Sequence, residues 1–247
     1  MLLEAHPGSL SEIKHLRALF LQEANTQIRY NSVHDRGWSD TYILTIDRLA
    51  VGYGSLRAQD SDPRDTIFEY YIIPPYRGRA SQLFKELILA SHARYIECQS
   101  NVILLPSLIF DYSDHVSSNV ILFSDHALTH LRAPEFVFRK RKEDDLLFEH
   151  RHEPEGNYVI EFQGEIIATG GFFLHYNFPF SDLYMEVKET FRRRGAGSYL
   201  IQEIKRECYL SGRIPAARCG RENPDSKATL LKAGLQVAGC MLLGNIK

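Results

Sequence analysis

The chain repeats one pattern, and this repeat constrains the fold more than any other feature of the sequence. Residues 42–56 (YILTIDRLAVGYGSL) and residues 158–172 (YVIEFQGEIIATGGF) both read as two apolar strands joined by a short polar turn. Tyr42 and Tyr158 are 116 positions apart. Apolar strands around such a turn predict a β-hairpin in each copy.

A second pair of segments recurs at nearly the same offset. The segment IIPPYRGRASQLF (72–84) resembles VKETFRRRGAGSY (187–199), and Arg77 and Arg192 are 115 positions apart. Two pairs of similar segments at nearly equal separations predict that the chain contains two copies of one structural unit. We place these copies at residues 1–132 and 133–247. Each copy reads hairpin, third strand, turn, helix and strand, so we expect an α+β fold in which mixed sheets are flanked by helices.

The remaining elements follow from the spacing of apolar residues. In the first copy the pattern predicts a third strand over 66–75 and a helix over 80–96. In the second copy it predicts a strand over 181–187 and a helix over 197–210. The first copy has an additional N-terminal helix whose apolar face is formed by Ile13, Leu16, Leu19 and Phe20.

Composition limits the classes of function. The formal net charge is −2, so no general basic field attracts nucleic acid or an acidic membrane. The four cysteines form no CxxC pair, which argues against a zinc knuckle. The N-terminus lacks the pattern of a signal peptide, and no apolar run approaches the roughly 20 residues of a membrane span. We therefore expect a cytoplasmic protein with no metal site and no nucleic-acid or membrane partner.

The turn in VKETFRRRGAGSYL (187–200) lies between a predicted strand and a predicted helix. The first N–H groups of a helix lack intrahelical partners and carry partial positive charge. Glycines let the backbone approach a ligand closely, and three arginines add charge at the same place. The pattern indicates an anion-binding turn, although a flexible solvated turn explains the same residues.

A second segment supports the first. ENPDSKATLLKAGL (222–235) predicts a short helix with Asn223 as its N-cap, Pro224 in its first turn and Gly234 just after its end. The turn is not a Walker motif, because no Gly-Lys-Ser/Thr follows. It is not a dinucleotide fingerprint either, because the third glycine is missing.

Together the two segments resemble the GNAT N-acetyltransferase superfamily. Arg192–Gly197 is similar to its R/Q-x-x-G-x-G/A pyrophosphate loop, and Asn223-x-x-Ser226 followed by KAGL is similar to its second cofactor motif. The resemblance covers most of 155–243 and, more faintly, 40–105. In the first copy Ala80 and Gln82 replace the loop glycines, so we expect a degenerate copy without cofactor.

The resemblance implies acetyl-coenzyme A as co-substrate and direct attack of an amine on its thioester. The strand backbone from Met185 to Val187 would pair with the pantetheine arm, and the turn would hold the pyrophosphate. The cofactor-binding residues it implies are Met185, Val187, Arg192, Arg193, Arg194, Gly195, Ala196, Gly197, Ser198, Asn223 and Ser226.

An amine acceptor must lose a proton before it attacks. With a period of two, Asp182, Tyr184 and Glu186 share one face of their strand, opposite a face that reads as core. Glu186 is the first candidate for the base, Asp182 the second, and Tyr184 a candidate proton donor to the thiolate. The family often has a tyrosine for that donation where this chain has Leu230. A solvated strand face is the alternative reading of the three residues.

Several alternatives stay open at this point. His150 and His152 resemble a metal pair, but no third ligand is nearby and a solvated loop is the competing reading. His175 fits the wall of an acceptor pocket or a packed surface position. The main hypothesis is an acetyl-CoA-dependent N-acetyltransferase for a small-molecule or peptide amine; the alternatives are a non-catalytic CoA-binding or partner-binding module and a nucleotide-phosphate binder. The acceptor and the oligomeric state are not predicted.

Overall fold

The computed structural model describes residues 1–24, 26–27, 30–58 and 63–247. Residues 59–62, which fall within the fainter resemblance over 40–105, lie outside the described residues. The chain divides into two units, one formed by Met1–Asn119 with Gly239–Lys247 and the other by Val120–Ala238. Among the described residues, no helix is both long and apolar enough to cross a membrane.

The first unit is a sheet with helices. Its strands are β1 (Leu3–Gly8), β2 (Ser39–Ile46), β3 (Leu49–Arg57), β4 (Thr66–Ile72), β5 (Tyr95–Gln99), the first part of β6 (Ser113–Asp125) and the last part of β12 (Leu235–Ile246). Its helices are α1 (Lys14–Glu23), α2 (Tyr30–Asp35), α3 (Ala80–Ser91) and α4 (Leu105–Tyr112), with a 3-10 helix over Pro74–Arg79. The strand order is β1-β2-β3-β4-β5-β12.

The second unit has the same plan. Its strands are the last part of β6, β7 (Val137–Lys140), β8 (Tyr158–Phe162), β9 (Glu165–Phe173), β10 (Phe180–Val187), β11 (Ile214–Gly220) and the first part of β12. Its helices are α5 (Ala196–Leu210) and α6 (Pro224–Lys232), with a 3-10 helix over Glu189–Phe191. The order is β6-β11-β10-β9-β8-β7, and only β10 and β11 run parallel. The predicted mixed α+β fold is confirmed.

Both predicted hairpins form at the predicted turns. Asp47 and Arg48 have φ values of 47° and 71°, and Gln163 and Gly164 have φ values of 52° and 82°. Two consecutive residues with positive φ are the signature of the tight turn whose twist matches that of paired strands. The hairpins β2–β3 and β8–β9 therefore follow from local sequence.

Each unit has its own apolar core. In the first unit, Ile13, Leu16 and Phe20 are buried as predicted, but Leu19 is exposed. In the second unit, α5 lies against the sheet through a buried row that recurs every four residues, formed by Leu200, Ile204 and Cys208. This packing fixes the direction in which the N-terminus of α5 points, because the helix has little freedom to slide on the sheet.

Several predicted boundaries differ from the structure. The strand expected over 66–75 ends at Ile72, because the chain enters the 3-10 helix at Pro74. The helix expected over 80–96 ends at Ser91, because His92 adopts the left-handed conformation (φ 54°), and β5 follows. The division between the units falls at 119/120 rather than at 132/133. Gly239–Lys247 belongs to the first unit, because Met241–Asn245 pair with Tyr95–Gln99.

Candidate functional site

The site begins where two parallel strands separate. In the part of the chain that the structure describes, β10 and β11 pair only over Phe180–Asp182 and Ile214–Ala216. Beyond that point β10 stays paired with β9, and β11 stays paired with β6. One edge of β10 over residues 183–187 therefore faces no paired strand among the described residues and can bind an extended ligand, as in the addition of a strand to a sheet edge, although the Val187 carbonyl oxygen accepts a hydrogen bond from Arg192 Nε at 3.2 Å.

The turn that follows β10 leads into the N-terminus of α5. Gly195 is the N-cap residue in the left-handed conformation (φ 89°), and no side chain caps the helix. Arg193 also has a positive φ of 62°. The first N–H groups of α5 thus lack a side-chain acceptor, and the helix dipole favours an anion in front of them. This geometry has the features of the predicted anion-binding turn.

A cavity of ≈ 430 Å³ joins the free edge of β10, the turn and α6. Of the predicted cofactor-binding residues, those that line it are Met185, Val187, Arg192, Arg193, Gly195, Gly197, Ser198, Asn223 and Ser226. The other two are not among the lining residues: Ala196 is buried in the core, and the Arg194 guanidinium lies 5.2 Å from the centre of the ring of Phe191, which lines the cavity. Proximity makes these nine residues a candidate site, but their roles remain predictions.

Gly197 is closely surrounded by side chains of β10 and α6. A Cβ atom there would lie 3.2 Å from Met185 Cε, 3.3 Å from Thr229 Cγ2 and 3.4 Å from Val187 Cγ2. A larger side chain would have to enter the cavity between β10 and α6. The glycine keeps open the space in front of the helix N-terminus, as a ligand that contacts backbone requires.

Positive charge surrounds the turn. The side chains of Arg192 and Arg193 are exposed, and Arg193 is paired weakly with Asp225 at 3.8 Å. Lys232, at the end of α6, also lines the cavity, and its Nζ atom would lie 4.0 Å from a Cβ at Gly195. In the sequence, Lys232 is only the first residue of the KAGL segment. Its position beside the turn makes it a further candidate for anion binding.

The second predicted motif forms the opposite wall. Asn223 caps α6, because its Oδ1 accepts a hydrogen bond from the Ser226 N–H at 3.0 Å. Leu230, on the same helix, is buried in the core. An apolar side chain at that position has no proton to give.

The corresponding turn of the first unit is built differently. Ala80 stands where the second unit has Gly195, and it adopts right-handed helical backbone (φ −56°). Arg77 forms an ion pair with Glu23, whose carboxylate also accepts a hydrogen bond from the Tyr71 hydroxyl at 2.7 Å. The turn therefore lacks the left-handed residue of the second copy, and one of its arginines is neutralised from within the unit.

Glu186 is held by three consecutive backbone amides. Its carboxylate is 5% exposed and accepts hydrogen bonds from the N–H groups of Arg151 (3.1 Å), His152 (3.0 Å) and Glu153 (3.0 Å). Burial of the carboxyl raises its pKa, but the three hydrogen bonds outweigh burial and hold the pKa below its usual value. The segment around His150 and His152 is exposed over residues 151–155, as expected of a solvated loop, but its backbone is hydrogen-bonded to β10.

The other two predicted catalytic residues lie further along β10. Asp182 is 5% exposed, 2.9 Å from His175 Nε2 and 3.8 Å from Arg218 Nε. The Tyr184 ring stacks on Phe173 with 4.4 Å between ring centres. Burial raises the pKa of Tyr184, and the negative charge of Glu153 raises it further. The tyrosine is therefore neutral and carries its proton at neutral pH.

Glu153 is a residue of the site that the sequence did not single out. It lines the cavity beside Met185, Glu186 and Val187. Partial desolvation of its carboxyl group, with the charge of Asp182 next in size, raises its pKa. Arg218 and His152 lower the pKa, and Glu186 raises it further. In the sequence, Glu149 and Glu153 stood only beside the two histidines as part of a possible metal group, since no local pattern shows that this loop reaches β10.

Comparison with known proteins agrees with this geometry. Residues 125–235 match the model of the acetyltransferase (GNAT) family. No curated protein sequence matches the chain significantly. Among solved structures, the chain is similar to a GNAT-family acetyltransferase from Colwellia psychrerythraea, with a TM-score of 0.76, 13% identity and 100% of each chain covered.

Two further structures resemble the whole chain. One is a GCN5-related N-acetyltransferase from Sphaerobacter thermophilus (TM-score 0.60, 13% identity, 99% of this chain and 96% of that one). The other is a tandem GNAT protein from the clavulanic acid biosynthesis pathway (TM-score 0.59, 11% identity, 99% of this chain and 98% of that one). At these identities the likeness concerns the fold.

Proposed function

We propose that the second unit, most of which matches the model of the GNAT acetyltransferase family, binds acetyl-CoA and transfers the acetyl group to an amine acceptor. The observation that carries this proposal is the separation of β10 from β11 beside an N-terminus of α5 that no side chain caps. The thioester supplies an activated acetyl group. The chain supplies binding, orientation and proton transfer.

Each part of the cavity suits a different part of the co-substrate. The free edge of β10 at Met185 and Val187 would pair with the amide groups of the pantetheine arm. The N–H groups between Arg193 and Ser198 would hold the pyrophosphate, with Lys232 adding charge. Ser226 and the Nδ2 group of Asn223 would contact the arm from α6, since Asn223 Oδ1 is used as the helix cap.

Catalysis requires a neutral amine and a protonated leaving group. We assign protonation of the leaving thiolate to Tyr184, because the Tyr184 hydroxyl carries a proton at neutral pH and the Leu230 side chain has none to give. Glu186 lines the cavity, Asp182 lies four positions before it on β10, and both accept hydrogen bonds from the protein. Their negative charge, with that of Glu153, favours a cationic amine as acceptor, either a small molecule or a peptide.

Calorimetric titration with acetyl-CoA tests the binding half of the proposal. We expect one acetyl-CoA per chain, because the turn of the first unit lacks the left-handed glycine. Gly197→Arg should abolish binding, since its side chain would fill the space between Met185 and Thr229. Wild-type protein that binds no acetyl-CoA at high micromolar concentration would refute the proposal.

Release of free CoA thiol in the presence of a panel of primary amines tests the catalytic half. Acceptor-dependent release that Gly197→Arg abolishes would support acetyl transfer. Binding of acetyl-CoA without release for any amine would favour the non-catalytic CoA-binding module instead.

A further inference from the structure

Residues 150–156 cross the site as a strap, here called the 150–156 strap. Its two ends are fixed by one residue, because Thr169 Oγ1 lies 2.6 Å from His150 Nε2 and accepts a hydrogen bond from the Gly156 N–H at 3.4 Å. Its middle is fixed by Glu186 through the three amides of residues 151–153. Thr169 and Glu186 are directly paired across β9 and β10, so one cross-strand pair anchors the whole strap.

The strap also packs against the sheet through a glycine. A Cβ atom at Gly156 would lie 2.2 Å from the backbone nitrogen and oxygen of Gly170. No side chain fits at that distance, so only glycine lets the strap come this close to β9. Arg151 adds an ion pair with Glu189 at 3.1 Å, beside the turn that leads to α5. The strap is thus a positioned part of the site.

This arrangement places Glu153, an exposed residue, beside the cavity that borders β10. The N–H group of Glu153 is the last of the three that bind Glu186, and its side chain lines the cavity with Met185 and Val187. The charged groups that influence its carboxylate are Asp182 and Glu186 on β10, Arg218 on β11 and the adjacent His152. Partial desolvation and then the two acidic groups on β10 raise the pKa of Glu153, whereas the amide donors lower the pKa of Glu186 and make it the weaker base.

We propose that Glu153 is the general base of the acetyl transfer and that Glu186 is a positioning residue that holds the strap carrying it. This inference rests on the proposed function. Glu153 takes one proton from the acceptor ammonium, and the neutral amine attacks the thioester carbonyl. The C–N bond forms and the C–S bond breaks. The departing thiolate takes a proton from Tyr184, which regains one from the acetylated nitrogen, and Glu153 releases its proton to solvent.

The test compares two amines that differ in protonation. n-Butylamine is protonated at pH 7, whereas 2,2,2-trifluoroethylamine is largely neutral there and needs no base to lose its first proton. Glu153→Gln should lower kcat with n-butylamine by about 100-fold or more. It should lower kcat with trifluoroethylamine far less, and acetyl-CoA affinity should stay within about twofold of wild type. Glu155→Gln is the matched control, because Glu155 lies on the same strap but pairs with Arg141 at the surface.

Glu186 is tested by a readout that does not depend on turnover. Glu186→Ala should raise hydrogen exchange at the amides of residues 151–153. It should also lower kcat with n-butylamine more than with trifluoroethylamine, because only the protonated amine depends on the base that the strap carries, and Glu186→Gln should give intermediate values. Glu153→Gln with wild-type turnover, or with equal losses for the two amines, would overturn the role of Glu153. Unchanged exchange in Glu186→Ala would overturn the role of Glu186. Wild-type protein that binds no acetyl-CoA would instead refute the proposed function and, with it, this inference.

Discussion

Arg192 donates a hydrogen bond from its Nε atom to the carbonyl oxygen of Val187, at 3.2 Å. Arg77 makes the same bond to Ile72 at 3.1 Å, and both the arginines and the carbonyls are 115 positions apart. The bond closes the turn between the third strand and the helix in each unit. Arg192 therefore has a structural role in the turn as well as a place at the cavity.

This role predicts different effects for neighbouring arginines. Arg192→Ala should lower the free energy of unfolding by about 1 kcal/mol, because it leaves the Val187 carbonyl without its donor. Arg193→Ala should leave stability nearly unchanged, since its ion pair with Asp225 is long and exposed. Urea unfolding of the two variants measures the difference. Equal stability would show that the turn does not depend on the bond.

Gly195→Ala should reduce both stability and acetyl-CoA affinity. Its φ of 89° is costly for a residue with a Cβ atom, roughly 1–2 kcal/mol. Gly212→Ala is the control, because Gly212 also has a positive φ (74°) with open space around it, but it follows the other end of α5. The midpoint temperature of thermal unfolding should fall in both variants. Calorimetric titration should show at least about tenfold weaker acetyl-CoA binding only for Gly195→Ala. Similar acetyl-CoA affinities of the two variants would show that Gly195 does not contribute to the anion site.

Lys232→Ala should weaken acetyl-CoA binding by about fivefold at low ionic strength, which corresponds to roughly 1 kcal/mol. The loss should shrink as salt is added, because Lys232 is exposed and its charge is screened. Lys227→Ala provides the comparison, since this exposed lysine is on α6 but is not among the described residues that line the cavity. Titrations at two salt concentrations test the effect, and identical affinities for both variants would contradict it.

The acid sensitivity of the second unit should depend on Asp145. Hydrogen bonds from the Arg139 guanidinium and the Lys142 N–H lower the pKa of Asp145 to about 2. A carboxyl whose pKa is lower in the folded state stabilises the fold above its unfolded pKa and loses that contribution as pH falls towards the folded value. Wild-type protein should therefore lose more stability than Asp145→Asn between about pH 4 and pH 2.

Urea unfolding at several pH values measures this difference. Asp144→Asn is the control, because Asp144 is exposed and should leave the acid sensitivity unchanged. Parallel stability curves for wild type and Asp145→Asn would contradict the prediction. The ion pairs of Arg139 with Asp145 and Glu161 also explain why the mixed-charge segment 139–145 forms a defined connection after β7.

Local chemistry made much of the fold predictable. The hairpin turns at Asp47–Arg48 and Gln163–Gly164 and the Asn223 cap all depend on residues within a few positions of one another. The left-handed conformation of Gly195 is also a local feature, because it depends on that one residue being glycine. The repeat supplied the rest, since it showed that two separate segments share one plan.

The contacts between distant segments were not predictable in the same way. Period-two alternation placed Glu186 beside the cleft, but nothing near it in sequence indicates that residues 151–153 donate to its carboxylate. The same holds for the pairing of Met241–Asn245 with Tyr95–Gln99. In both cases partners more than 30 positions apart are selected by packing of the whole unit rather than by a local pattern.

That last pairing has a consequence for how the protein is made. The sheet of the first unit contains a strand from the end of the chain, next to β5. The ribosome synthesises the chain from the N-terminus. One edge of β5 therefore stays unpaired until the second unit and the last part of β12 have been synthesised. The half of the protein that begins first is thus completed last, and an exposed strand edge must be protected from other chains during that interval.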